Sequence, residues 1–221
     1  MTDLYLGIDV QLSRGSSCAV IDSAGSMLAA TSFDSAEAAA AWIGELASDS
    51  SAAPKIGIDA PRQALPEPRT WHWNGRGRSW RKRGAKEEGH GRHCDVVVSA
   101  HRLANPQWTP LEADAPRWMQ LGFDMFAALA EYEPMEVSPT ASYRSLRGQS
   151  GVRVDMDLAD LSRGPKDMLN ACVAAATVRE YVAGRGEAVG GGDGLGAIIL
   201  PRPITAGRID AVFEWPSSDD D

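Results

Sequence analysis

The chain writes Leu4-Tyr-Leu-Gly-Ile-Asp-Val10 near its start and Pro54-Lys-Ile-Gly-Ile-Asp-Ala-Pro61 fifty residues later. Each is a short apolar run that stops on Gly-Ile-Asp. A run of four to six residues rich in Ile and Leu and closed by a turn former reads as a buried strand. Two such strands ending alike are expected to lie side by side at the centre of a sheet, with Asp9 and Asp59 adjacent. Two charges ~4 Å apart repel by about 4 kcal/mol at an effective dielectric of 20. The pair must therefore share a proton or a cation.

Outward from these runs, residues 16–22 and 27–33 are strand-like and separated by turns at Gly15 and at Asp22-Ser-Ala-Gly25, which gives a three-strand meander. The segment DSAEAAAAWIGEL predicts a helix capped by Asp34 or Ser35, with Trp42, Ile43 and Leu46 on one stripe. Pro61 ends the second Gly-Ile-Asp strand. Further on, APRWMQLGFDMFAALAEYE predicts a helix with Asp114 as N-cap, and Met135–Val137 a short strand. PKDMLNACVAAATVREYVAG predicts a helix from Pro165 to near Gly184, and Ala197–Leu200 a last strand after the turn GGGDG. Strands, a crossover helix and further buried strands make an α/β fold, a mixed sheet flanked by helices.

With 221 residues and 43% hydrophobic content, one domain is expected over 1–221. A net charge of −8 and an acidic C-terminal tail, SSDDD, exclude a chain that coats nucleic acid by bulk positive charge. Cys18, Cys94 and Cys172 are odd in number and widely spaced, unlike a disulfide framework, which fits a reducing cytoplasmic setting. No stretch approaches the ~20 apolar residues of a membrane span, and the N-terminus lacks a signal-peptide pattern. No membrane partner is expected.

Composition changes at residues 62–95, which are rich in Arg, Lys, Gly and Trp and poor in aliphatics. This segment is expected to be a long functional loop outside the core. Eight Arg or Lys, Arg69 and Arg92 included, span residues 69–92, interleaved with Trp71, Trp73 and Trp80. Phosphate contacts from Arg76, Arg78, Arg81, Lys82 and Arg83, with base stacking on Trp80, suit a nucleic-acid partner. The alternatives are a solvated loop, or tryptophans packed on the body or on a second subunit, which would make a homodimer. His90-x-x-His93-Cys94 offers zinc ligands but lacks a second paired motif.

Further acids join the candidate site. Glu136 ends a strand ahead of Ser138-Pro139, and Asp167 and Asn170 share one face near a helix start. Ala171, Ala174 and Ala175 would let that helix lie close to the sheet. Four oxygen donors around one cleft suit one or two Mg²⁺ or Mn²⁺ ions. Singly, each acid has a plainer explanation: Asp9 and Asp59 as turn makers, Glu136 as a solvated rim residue, Asp167 as a helix-start acid.

In order, GIDVQLSRGSSCAVID, IGIDAP, RHCD, EVSPTASYRSL, DMLNACVAAATV and DGLGAIILP resemble the DUF429 family of predicted nucleases over residues 4 to about 201. The resemblance implies an RNase H-like mixed five-stranded sheet, its first three strands antiparallel, with strand-end acids that bind Mg²⁺ or Mn²⁺. Carried over, Asp9 matches the first-strand acid, Asp59 the fourth-strand acid and Glu136 the acid before Ser-Pro, while Asp167 precedes the helix motif. Asn170-Ala-Cys departs from the family's Asp-Ala-Leu, so either Asp167 replaces that acid or the site is weakened. The expected function is metal-dependent nuclease or phosphodiesterase: Asp9 bridges the metals, Asp59 and Asp167 each complete one shell, and Glu136 and Asn170 assist. A catalytically silent nucleic-acid-binding scaffold is the alternative. A nucleotide-using phosphotransferase, suggested by SRGSS as a phosphate turn, is a weaker one, because no P-loop or second phosphate loop is present.

Overall fold

The computed structural model describes residues 3–50, 52–161 and 164–216. The acidic tail from Ser217 lies outside them. Strands β1 (Tyr5–Asp9), β2 (Ser16–Ile21) and β3 (Met27–Phe33) form the expected antiparallel meander. Asp22 closes its second turn by accepting the Gly25 and Ser26 amides at 2.7 and 2.8 Å. Helix α1 (Ala36–Ser48) follows, capped by the Ser35 hydroxyl on the Ala38 amide. Strand β4 (Lys55–Asp59) then returns beside β1 and parallel to it.

After a hairpin of β5 (Trp71–Asn74) and β6 (Ser79–Lys82) come α2 (His93–Ala100) and α3 (Arg117–Ala128), then β7 (Met135–Val137) and α4 (Pro139–Ser145). Helix α5 (Pro165–Val182) and the antiparallel pair β8 (Glu187–Gly190) and β9 (Ala197–Leu200) complete the chain. The main sheet is mixed and seven-stranded, in the order β3-β2-β1-β4-β7-β9-β8, so the expected count of five is corrected. The missed strand β8 is the tetrapeptide Glu-Ala-Val-Gly, too short and too poor in β-branched residues to show a period.

One face of the sheet carries α1 and α3 over Leu6, Ile8, Ile56 and Ile58, with α2 covering β8 and β9. The other face carries α5, whose Ala174, Ala175 and Val178 pack on Tyr5, Ile21 and Val137. That packing explains the glycine of each Gly-Ile-Asp. A Cβ on Gly7 would lie 2.0 Å from the Ala171 carbonyl oxygen, and one on Gly57 would lie 2.6 Å from Val178 Cγ2. The two glycines are register partners, and the alanines of α5 bring the helix down onto them.

Two further expectations are corrected. Pro116, not Asp114, occupies the N-cap of α3, and Asp114 closes a 3-10 turn over Glu112–Asp114. Within 62–95 the chain forms the β5–β6 hairpin, and Arg92, His93, Cys94 and Asp95 are buried, so the end of the segment does belong to the core. Helix α2 was hidden because His, Cys and three successive valines are poor helix formers. It is held instead by its contacts and by Asp95, which accepts the Arg92 backbone amide at 2.9 Å across the helix start. No helix among the described residues is long and apolar enough to cross a membrane.

Candidate active site

The register of β1 and β4 runs from Tyr5↔Lys55 to Asp9↔Asp59, so the two aspartates end neighbouring parallel strands at the same level. Side chains two apart share a face, and Gly7 faces α5. Asp9 therefore points toward the start of that helix. It is buried, and it accepts from Gln11 Nε2 at 3.2 Å and, more loosely, from Asn170 Nδ2 at 3.5 Å. Burial pushes the Asp59 carboxyl well above its ordinary value of 3.8, and the Asp9 charge and a hydrogen bond to Asp9 add to this. Asp9 is raised as well, first by burial, with the Gln11 amide and Asp59 pulling against it. Both shifts favour a proton held between the two carboxyls. No Lys, Arg or His forms an ion pair with either one among the described residues.

Asp167, in the first turn of α5, is buried and pairs with the exposed Arg14 at 3.3 Å; its charge is felt at Asp9. Arg14 comes from the SRGSS loop. That loop is fastened by the Gln11 amide donating to Ser16 Oγ at 3.2 Å. The structure thus gathers Asp9, Asp59, Asp167 and Asn170 between β1, β4 and the start of α5. An open cavity of about 440 Å³ lies over the pair, bordered by Gln11, Ser13, Trp118 and Asn170.

Glu136 does not share that face. Its register partner is Ile58, one residue short of Asp59, so its side chain leaves the sheet on the opposite side, under α2. There Arg92 Nη1 and Nη2 donate to its two oxygens at 2.6 and 2.5 Å, and the Arg62 amide adds 2.9 Å. The rim position expected from the sequence is thus corrected to a buried bidentate ion pair. Burial pushes the Glu136 carboxyl up while Arg92 pulls it back. Arg92 also donates to Asp95 Oδ1 at 3.2 Å and to Thr109 Oγ1 at 3.1 Å.

Ligand atoms of Cys94, Asp95 and Glu136 lie within 4.8 Å of one another, a cluster with the geometry to hold a metal. The Arg92 guanidinium already neutralises its two carboxylates, however, and burial holds the Cys94 thiol far from ionising. A cation there would have to displace Arg92.

The His90-His93-Cys94 motif is not assembled as a zinc site. His93 Nε2 bonds the Val212 carbonyl at 2.7 Å and Nδ1 accepts the Gly192 amide at 2.9 Å, so both ring nitrogens are committed. His90 instead pairs with Glu88 at 3.5 Å. The GGGDG turn is structural too, since Asp193 accepts the His93 and Leu195 amides.

In the basic hairpin, Arg76 and Arg78 are exposed at the tip and Lys82 is exposed on β6. Trp80 packs edge-on against Trp73, His93 and Trp215 and donates to the Ala211 carbonyl at 3.1 Å. It fastens the hairpin to the body and is not a free stacking surface. Arg81 is paired bidentately with Glu87, and Arg83 bonds the Arg69 and Glu87 carbonyls.

Sequence reasoning missed Gln11, Trp118 and Arg92. Gln11 lies two residues beyond Asp9, where the strand's alternation would return it to the same side; that spacing was the available signal. Nothing local marks Arg92 as buried, because its partner Glu136 is 44 residues away. Compared with family models, with curated proteins and with solved structures, the chain finds no match.

Proposed function

We propose that the protein is a metal-dependent nuclease or phosphodiesterase of RNase H-like fold, related to the DUF429 family. The observation that carries this reading is the in-register pairing of Asp9 with Asp59, which no basic side chain among the described residues neutralises. Supporting it, the seven-stranded sheet contains the run β3-β2-β1-β4-β7 with β1 to β3 antiparallel, the part of the expected topology that bears on the acid site. The donor set also fits the ion: hard carboxylate oxygens backed by an amide oxygen suit Mg²⁺ or Mn²⁺, which bind through one or two carboxylates plus water and phosphate.

When bound, such an ion polarises a phosphoryl oxygen and acidifies water. Asp9 and Asp59 would hold it, giving up their shared proton. Gln11 and Asn170 fix the Asp9 carboxylate by their amide donors, and Asp167 adds negative charge from α5. Glu136, expected to assist at the acid site, serves instead as counter-ion of Arg92, behind the β4 end that carries Asp59. Arg76 and Arg78 remain the side chains best placed to meet a nucleic-acid backbone.

Labelled single-stranded, duplex and branched DNA or RNA, incubated in Mg²⁺ and in Mn²⁺ beside Asp9→Asn, tests the reading. Ion-dependent cleavage by the wild type and its loss in the variant is expected. Equal cleavage by both proteins removes the role given to Asp9. One observation favours a catalytically silent nucleic-acid-binding protein: Asn170 directs an amide donor at Asp9 where the family has an acid. Binding that depends on salt and ignores chelators, without turnover, would select that reading.

A further inference from the structure

Beside the acid pair lies a second, smaller cavity of about 170 Å³, which shares Asp59 and Trp118 with the open one above the carboxylates. Its lining combines the aromatic Trp118 with the aliphatic Val98, Ala104 and Ile198. Asn105 and Thr140 border it, and neither side chain has a hydrogen-bond partner among the described residues. The Trp118 ring is held by its Nε1 donating to Gln107 Oε1 at 3.2 Å, and the Gln107 Nε2 donors have no partner among the described residues. Asp95 and Glu136 also line it, and Arg92, behind them, bonds both and holds them in place.

An aromatic ring, aliphatic side chains and unused amide and hydroxyl groups are the means by which a protein holds an unstacked base. Size narrows the choice. An apolar cavity of about 150 Å³ takes up one benzene ring, so this one has room for a single six-membered heterocycle.

We propose that the cavity receives one unpaired pyrimidine base, stacked on Trp118 and hydrogen-bonded by Asn105, Gln107 and Thr140. Its position beside Asp59 places the attached phosphate at the acid pair, which makes the substrate class a single-stranded or locally unpaired nucleic acid. Only that placement of the phosphate rests on the nuclease reading; the cavity does not.

Free nucleosides, which lack phosphate, separate the two. Cytidine, uridine, adenosine and guanosine are titrated by ligand-observed NMR into metal-free protein, its Asp9→Asn variant and an Asn105→Ala/Thr140→Val double variant. Both of the latter positions are exposed, and thermal melting confirms that the double variant is folded. The pyrimidine nucleosides are expected to bind about tenfold tighter than the purines to wild type and Asp9→Asn alike, and about tenfold weaker to the double variant, as two lost hydrogen bonds require. Purines binding as well as pyrimidines, no nucleoside binding, or an unaffected double variant each overturn the proposal. Pyrimidine binding without ion-dependent cleavage would leave the base site standing and remove the nuclease reading.

Discussion

Asp59 is the residue on which the electrostatics turn. Its folded carboxyl is raised above the ordinary 3.8 by burial and by Asp9, so the native state holds a proton that the unfolded chain gives up near pH 4. Stability from this proton is complete below the unfolded value and is lost as pH rises through the raised one. Metal-free protein should thus melt lower at pH 8 than at pH 5, and Asp59→Asn should flatten the difference; a melting profile that ignores the substitution would deny the shared proton. Gly7 gives a second expectation. A Cβ there meets the backbone of α5 at 2.0 Å, and backbone does not step aside as a side-chain tip does. Gly7→Ala should cost about 3 kcal/mol or prevent folding, read by urea denaturation. Both residues were legible because Gly-Ile-Asp occurs twice. The reason for the glycine was not, since α5 approaches from more than 160 residues away.

Helix α2 shows what kept the rest hidden. Its sequence argues against helix, yet it is buried against β8 and β9 and anchored at its start by Arg92. The contacts that decide it come from residues distant in the chain, so no window around His93–Ala100 contains them. The same holds for Glu136, whose strand was foreseen but whose face was set by pairing with Ile58. Removing the buried guanidinium alone leaves two carboxylates unpaired. Arg92→Met should therefore destabilise by about 3–5 kcal/mol, and adding Glu136→Gln should recover part of that loss in the same chemical denaturation. Strands β1 to β4 were legible as short apolar runs closed by turn formers, and α1 and α5 by their own start or stop signals. Helix α4 bears such a signal too, Ser138 capping the Ala141 amide ahead of Pro139, but the Ser-Pro step also reads as a strand terminator.

Across the whole molecule, the sheet divides the work. Its α5 face gathers Asp9, Asp59, Asp167 and Asn170, while its α2 face buries Glu136 and Asp95 against Arg92. The basic hairpin packs on the α2 side, its Trp80 committed to the body. Asp9 and Asp59 are thus the acids left for an external cation, and taking one up must expel the proton they share. Calorimetric titration of Mn²⁺ into the protein at pH 6, repeated in buffers of different ionisation enthalpy, reads affinity and proton release together. Saturable binding with release of a proton is expected, weakened at least about tenfold in Asp59→Asn. Absence of binding, or binding of equal strength and without proton release in both proteins, would contradict it.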